Sequence, residues 1–415
     1  MKLQIGKFKI DLVLLLIGIC PVFFLTPHKD FQTEQLLFMH FTVVLMLACV
    51  LYNRWLGGFL LLALAHKFLF QPVGWLDYVL PLSVGLLLYH LIYTYYDGKK
   101  YPYVILAMLL FNLTISGLQA LHLPYLSQQM QQPDGMLALP SFLGMIFAIT
   151  APTILTIHPA LIIVSLLGIV ISKSAFAAIA TLIAVLFYIY GAYPKLRKWL
   201  PLLVILPICL VPMVKRGVSS EEISRRLHIW PMVASKAFHN LFMGVGAGNA
   251  QQTLFIEFKD EKPGGARTYF QVDVKPENEQ VLKDKILTIA HKAGVDTTRL
   301  EAVHFKYPIF QVLQDVLDEL RGRKLGGYIW THCHNEYLQV FLQFGLLGLL
   351  IMGGYILNVF RRYRNTFMKS RETIALMGSF IAILILGCAH FELYMAKTGC
   401  IIIVLTALLD RKIRV

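Results

Sequence analysis

Three short stretches of this chain carry side chains that could do chemistry. The first is Tyr328-Ile-Trp-Thr-His-Cys-His-Asn335, where a polar segment turns directly into an apolar helix. His334 and Asn335 fall at the N-terminal end of that helix. A helix N-terminus favours negative charge, so a histidine there tends to stay neutral. Neutral imidazole, with an unperturbed pKa of about 6.5, suits a general base. Glu336 is a rival base that could instead serve only the helix dipole, and His334 could simply cap the helix. The second stretch is Glu221-Glu-Ile-Ser-Arg-Arg-Leu-His-Ile-Trp230. It predicts a helix, interrupted or restarted at Pro231, with Arg226 and Trp230 on one face. Its apolar set runs on through Ala234, Ala237, Phe238 and Leu241 to Gly244-Val-Gly-Ala-Gly-Asn249. Alternate glycines suggest a phosphate loop, but these follow a helix rather than a strand, against the dinucleotide fingerprint. A tight re-entrant turn with close backbone packing fits better. The third stretch is Ile171-Ser-Lys-Ser-Ala175, between two apolar runs. Lys173 must face water, a cavity or an anion there, and Ser172 and Ser174 add donors to an anion site. A lysine snorkelling at a helix end is the equal alternative.

A zinc site at His332-Cys333-His334 is not expected, because only adjacent ligands are visible and no matching pair follows. His40, His66 and His90 lie in or near apolar runs, where an ionisable group is a functional candidate, although a neutral imidazole can instead be satisfied by a helix–helix hydrogen bond.

The elements that must position these residues are membrane helices. The 415 residues are 57% hydrophobic with a mean hydropathy of +0.63, a composition outside the soluble enzymes. At about 20 apolar residues per span, about twelve spans emerge: near 10–26, 36–52, 55–70, 75–96, 102–121, 136–156, 158–172, 174–192, 199–214, 336–360, 373–390 and 393–410. Lys and Arg of short loops gather on one side, among them Lys2, Arg54, Lys99, Lys195, Arg361, Arg364, Lys369 and Arg411. That side is the cytoplasm. Both termini are therefore expected inside, and the polar segment 215–335 outside. The net charge of +14 is a topology signal rather than a nucleic-acid footprint. No cleavable signal peptide is evident, and six cysteines, five of them in apolar spans, support no disulfide framework.

The expected fold is an all-α polytopic membrane protein with one large outer loop domain, mainly helical. Residues 1–214 supply about nine spans and 336–415 about three. Within the loop, Leu254–Phe258 and Thr268–Val274 predict strands joined through Pro263-Gly264-Gly265 as a hairpin. Helices are expected after Pro276, ending at Gly294, and over Tyr307–Leu320.

His334-Asn335, Leu338 and the Phe344-Gly-Leu-Leu-Gly348 turn resemble the signature of the O-antigen ligase and O-antigen polymerase superfamily. Arg226 four before Trp230, followed by Gly244-x-Gly246-x-Gly-Asn249, is similar to that superfamily's preceding motif. Ser172-Lys173-Ser174-Ala175 resembles its Ser-Arg-Ser/Gly segment, with lysine where arginine is usual. The likeness spans roughly residues 165–410. It implies a metal-independent membrane glycosyltransferase of the C type in a bacterial inner membrane, with no cofactor. The implied donor is a glycan on undecaprenyl diphosphate and the implied acceptor a sugar hydroxyl of lipid A–core, ligated on the periplasmic face. His334 would be the base. Arg226, then Lys173 and Arg225, would meet the diphosphate, with Ser172, Ser174, Trp230, Gly246 and Asn335 lining the substrate site. Polymerisation of repeat units and transfer to protein hydroxyls are the same chemistry. A lipid-linked glycan transporter is the alternative of another class, although no internal repeat supports it.

Overall fold

The structure, a computed structural model, describes residues 2–5, 8–11, 54–70, 85, 88–96, 100–120, 140–199, 220–246, 253–259, 267–273, 284, 287, 328–330, 333–366, 370–389 and 396–413. The expected span 36–52 and the helix over Tyr307–Leu320 lie outside these residues, as do most of 10–26 and 199–214. Of the helix after Pro276, only Asp284 and Leu287 are described, both helical.

The chain opens with a short hairpin of β1 (Lys2–Ile5) and β2 (Phe8–Asp11). The first span was expected to begin at residue 10, where strand β2 is still running. Helices follow: α1 (Arg54–Phe70), α2 (Tyr101–Ala120), α3 (Pro140–Leu155), α4 (Ile162–Ser172) and α5 (Ala175–Ala192). Next come α6 (Ser220–His239), α7 (Glu336–Thr366), α8 (Arg371–Gly387) and α9 (Ala396–Lys412). Three of these, α2, α5 and α7, are long and apolar enough to cross a membrane. Their starts fall close to the expected spans because long runs of Leu, Ile, Val and Ala dominate them, with only scattered polar residues such as Asn112, Thr181 and Gln343 inside.

Small residues set how closely the helices approach. Gly168 of α4 faces the Phe147 ring of α3, and Gly378 of α8 faces Pro152 of α3 and the Ala184 carbonyl of α5. A methyl group at Gly168 would occupy the Phe147 ring. Between α3 and α4 the chain reverses at His158, whose Nδ1 accepts from the Ala160 N–H at 3.2 Å. Pro159 opens the short 3₁₀ turn Pro159–Leu161, where a missing N–H costs nothing. The core so built centres on Tyr96, Tyr101, Phe142, Phe147, Met145 and Ile146.

The two ends of the bundle differ. At one end Asp410, 1% exposed, accepts from Tyr89 Oη at 2.5 Å and Tyr355 Oη at 2.8 Å and pairs with Arg362. Lys412 pairs with Glu372 at 2.6 Å, Arg411 donates to the Tyr93 carbonyl at 2.7 Å, and Arg371 stands over the Tyr193 ring. At the other end lie the α4–α5 turn, the start of α7 and the end of α8. The cluster of Arg362, Arg371, Arg411 and Lys412 and the three candidate stretches are thus at opposite ends of α7 and α8.

Between α6 and α7 a sheet forms in the order β4-β3-β5, all antiparallel. β3 (Thr253–Lys259) and β4 (Arg267–Asp273) are the expected hairpin, paired from Thr253–Asp273 to Lys259–Arg267. β5 (Tyr328–Trp330) pairs on the other edge of β3, Phe255 opposite Trp330. That strand was unforeseen: three residues are too short to show alternation. It brings the chain back to the start of α7.

Two helices depart from expectation. α6 runs unbroken through Pro231. The carbonyl deprived of its donor belongs to Leu227, and both residues lie on the exposed face. Ile229, Val233 and Ala237 pack the opposite face against Phe341 and Leu342. α7, expected as one continuous span, is broken at Gly345 (φ 61°, ψ −155°). The backbone groups freed there pair with the turn after α6. Val245 N–H donates to Leu342 O at 2.8 Å and Gly246 N–H to Gln343 O at 3.0 Å. Leu346 N–H and Leu347 N–H donate to Leu241 O and Phe242 O at 2.7 and 3.3 Å. Gly244 (φ 68°) and Gly345 stand where a Cβ would strike the opposite backbone. The described part of the glycine-rich turn, Gly244–Gly246, is therefore close-packed backbone against α7, as its sequence suggested. At about 1.5 Å per residue, it meets α7 roughly 13 Å below that helix's first residue.

Candidate functional site

The site is built around the end of α8. Past Gly387 the helix has run out of intrahelical donors, leaving carbonyls that need partners. Arg226 Nη1 donates to Ala389 O at 2.9 Å and Asn335 Nδ2 to Cys388 O at 2.9 Å. Two sequence-predicted residues, 109 positions apart along the chain by their numbers, thus fasten to neighbouring carbonyls. A cation at a helix C-terminus is favourable in itself. The half-buried Arg226 guanidinium also stands 5.8 Å from the Phe176 ring centroid, within cation–π range. Phe176 lies two residues past Ser174, so the α4–α5 turn borders Arg226.

That turn is a sharp reversal. Lys173 takes φ 54° and its N–H donates to Ile169 O at 3.0 Å, closing α4. Ser172 Oγ donates to Ile169 O at 2.9 Å and accepts weakly from Ser174 N–H at 3.4 Å. Ser174 Oγ caps α5 by accepting from Ala177 N–H at 3.3 Å. Both hydroxyls build the turn, which seats on Gly144 of α3. Lys173 is left exposed at its tip.

His334 sits between two firmly held neighbours. Asn335 caps α7: its Oδ1 accepts from Leu338 N–H at 3.0 Å and its carbonyl from Gln339 N–H at 2.9 Å. Cys333, 2% exposed, is fixed by three groups. Its N–H donates to Gln339 Oε1 at 3.2 Å, its carbonyl accepts from Trp230 Nε1 at 2.9 Å, and its thiol lies 3.0 Å from Asn335 O and 3.1 Å from Gln339 Oε1. Burial pushes the Cys333 thiol up, away from thiolate character. His334 itself is half-buried and left-handed, φ 49°. Tyr337 Oη donates to Leu384 O at 2.7 Å, locking the start of α7 against α8.

Arg226 and Trp230 share a face of α6, as their spacing required; one reaches Ala389 and the other Cys333. Gly246 N–H is taken up by Gln343 O, so its part is in the re-entrant turn. The Arg225 side chain lies outside what is described, as do His332, Gly248 and Asn249. Glu336 is buried in the first turn of α7 against Gly387. Among the described residues, no three His, Cys, Asp or Glu side chains group as metal ligands.

Sequence reasoning missed the α8 carbonyls, because backbone acceptors have no sequence signature. It also missed Gln339. Glu336, Gln339 and Gln343 recur at helical spacing in an otherwise apolar helix and are all buried, a pattern that marks an inward-facing polar stripe.

Geometrically, then, a cationic guanidinium, an exposed lysine and an imidazole at a helix N-terminus flank one end of the bundle. Such a set can meet an anion and take a proton from a hydroxyl. No protein-family model matches the chain, and no curated protein matches it.

Proposed function

We propose that the chain is a multi-pass membrane glycosyltransferase, resembling the O-antigen ligases, with its site on the periplasmic side of a bacterial inner membrane. The donor is a glycan on undecaprenyl diphosphate and the acceptor a sugar hydroxyl of lipid A–core. A polymerase or a protein O-oligosaccharyltransferase would run the same step on another hydroxyl. The observation that carries the reading is the joint anchoring of Arg226 and Asn335 on the end of α8. It brings the candidate cation and the residue beside the candidate base to one place.

In the step itself, the acceptor hydroxyl attacks the anomeric carbon while His334 takes its proton. The bond from that carbon to the diphosphate oxygen breaks, and undecaprenyl diphosphate leaves with the electron pair. Arg226, with its planar fork of donors, and Lys173, as a point charge, meet the growing negative charge. Protein cations would serve in place of a divalent metal, so transfer should survive EDTA. Loss restored by magnesium or manganese would favour a metal-assisted route instead.

A second reading has one observation in its favour. Broken helices paired with re-entrant backbone recur in transporters, and α7 is such a helix. Purified protein, polyprenyl-diphosphate glycan and candidate acceptors separate the two. Covalent transfer supports the enzyme; lipid-linked glycan crossing vesicles without transfer supports the transporter.

A further inference from the structure

We infer that Gln339 is the positioning residue for His334; only the turnover part of this inference rests on the glycosyltransferase reading. Gln339 is 1% exposed on the buried stripe of α7. Its Oε1 receives both the Cys333 N–H and the Cys333 thiol, at 3.2 and 3.1 Å. With the Trp230 bond to the Cys333 carbonyl, the residue before His334 is fixed on every polar group. The residue after it is fixed by both ends of its amide. His334 keeps its left-handed backbone because the chain on each side has nowhere else to go. The other end of the Gln339 amide, Nε2, is buried with no hydrogen-bond partner among the described residues. An apolar side chain of the same length would fill that space without burying an unmet donor. What the amide contributes is the acceptor that holds the Cys333–Asn335 turn.

The test uses the full chain in detergent or nanodiscs. Gln339→Met keeps the length and removes the acceptor, whereas Gln339→Glu keeps an acceptor at the same reach. The readouts are carbethoxylation of His334 by diethylpyrocarbonate, followed by peptide mass spectrometry, and thermal unfolding. Exposed His158 and His239 serve as internal references. In Q339M the His334 rate should rise severalfold, with both reference rates unchanged and the unfolding midpoint within a few degrees of wild type. Where transfer is assayed, kcat should fall about 10- to 100-fold with donor KM unchanged. Q339E should restore both. Gln339→Asn, which withdraws the amide by one methylene, repeats the comparison should Q339M not accumulate. A wild-type His334 rate in Q339M, or Q339E as altered as Q339M, overturns the inference. If His334 reactivity follows Gln339 while the wild-type protein transfers no glycan, the positioning stands and the proposed function falls. If transfer occurs and ignores Q339M, the function stands and the inference falls.

Discussion

At His334 the backbone lies in a region that costs a non-glycine residue roughly 1–3 kcal/mol, and its two neighbours carry the bonds that sustain it. A candidate base held this way should be removable without loss of fold, and on the proposed function its removal should show in transfer. His334→Ala is expected to lower transfer by roughly 10² to 10⁴, the usual contribution of general acid–base catalysis, with donor binding little changed. Arg226→Ala should weaken donor binding as well as turnover, and Arg226→Lys should recover only part, since an ammonium cannot replace the fork. Near-normal transfer by H334A together with none by Glu336→Gln would move the base to Glu336. Cys333 offers a test of the turn by pH. Its thiol titrates above the ordinary value of 9.0 because of burial, so the folded state holds its proton more tightly than the unfolded one. The sign of the linkage follows: this stabilisation is complete below about pH 9 and is lost as pH rises beyond it. Thermal midpoints should therefore fall more steeply above pH 9 in the wild type than in Cys333→Ser, and equal slopes would refute the assignment.

Among the elements, the junction of α6, its re-entrant turn and the broken α7 makes the sharpest claims. Gly345→Ala and Gly244→Ala each place a methyl group into the facing backbone at positive φ. A cost of about 2 kcal/mol or more is expected. Gly353→Ala, at a position with open space around it, should be neutral or slightly stabilising because alanine favours helix. Equal midpoints for all three in a thermal-shift assay would contradict the paired break. The same junction shows what could be read in advance. Spans such as Ala175–Ala192 were legible because every residue in them is constrained by one property, hydropathy. Gly244-Val-Gly246 was legible as a turn because alternate glycines permit close backbone approach. Gly345 was marked only by the resemblance, within the Phe344–Gly348 turn, since by hydropathy one glycine in an apolar run looks like any helix-packing glycine. Strand β5 was hidden because its pairing with β3 depends on partners some seventy residues earlier, roughly the non-local contact that sequence patterns never display. In the site, side-chain types were legible and their anchors were not: Arg226 and Asn335 stood out, while the carbonyls of Cys388 and Ala389 are invisible until the fold exists.

At the largest scale, among the described residues, the Arg362–Asp410 and Lys412–Glu372 end, here the basic end, lies away from the site. If the basic end is cytoplasmic, a tag inserted near Gly264 should be reachable from outside the cell and one near Arg364 should not. Both tags on the inner side would reverse the orientation and the proposal with it. The basic end is also a clamp. Asp410 ties the end of α9 to α7 through Arg362 and Tyr355 and to the 88–95 helix through Tyr89. Asp410→Asn leaves Arg362 facing a neutral group and should cost about 2–4 kcal/mol, measured as a lowered unfolding midpoint. Transfer per folded molecule should not change, because the clamp lies at the far end of α7 from His334.

The four hydrogen bonds across the break in α7 also have a history in time. Their two halves, Leu241–Gly246 and Leu342–Leu347, are synthesised about a hundred residues apart, a wait of roughly 5–20 s at ordinary elongation rates. Throughout that wait Val245 N–H, Gly246 N–H, Leu241 O and Phe242 O lack their α7 partners, and at membrane depth lipid would offer them none. If the turn lies at membrane depth, its insertion should therefore await the arrival of α7. A chain that stops before Leu342 would leave the turn after α6 without those partners, a ready mark for the cell's proteolytic surveillance.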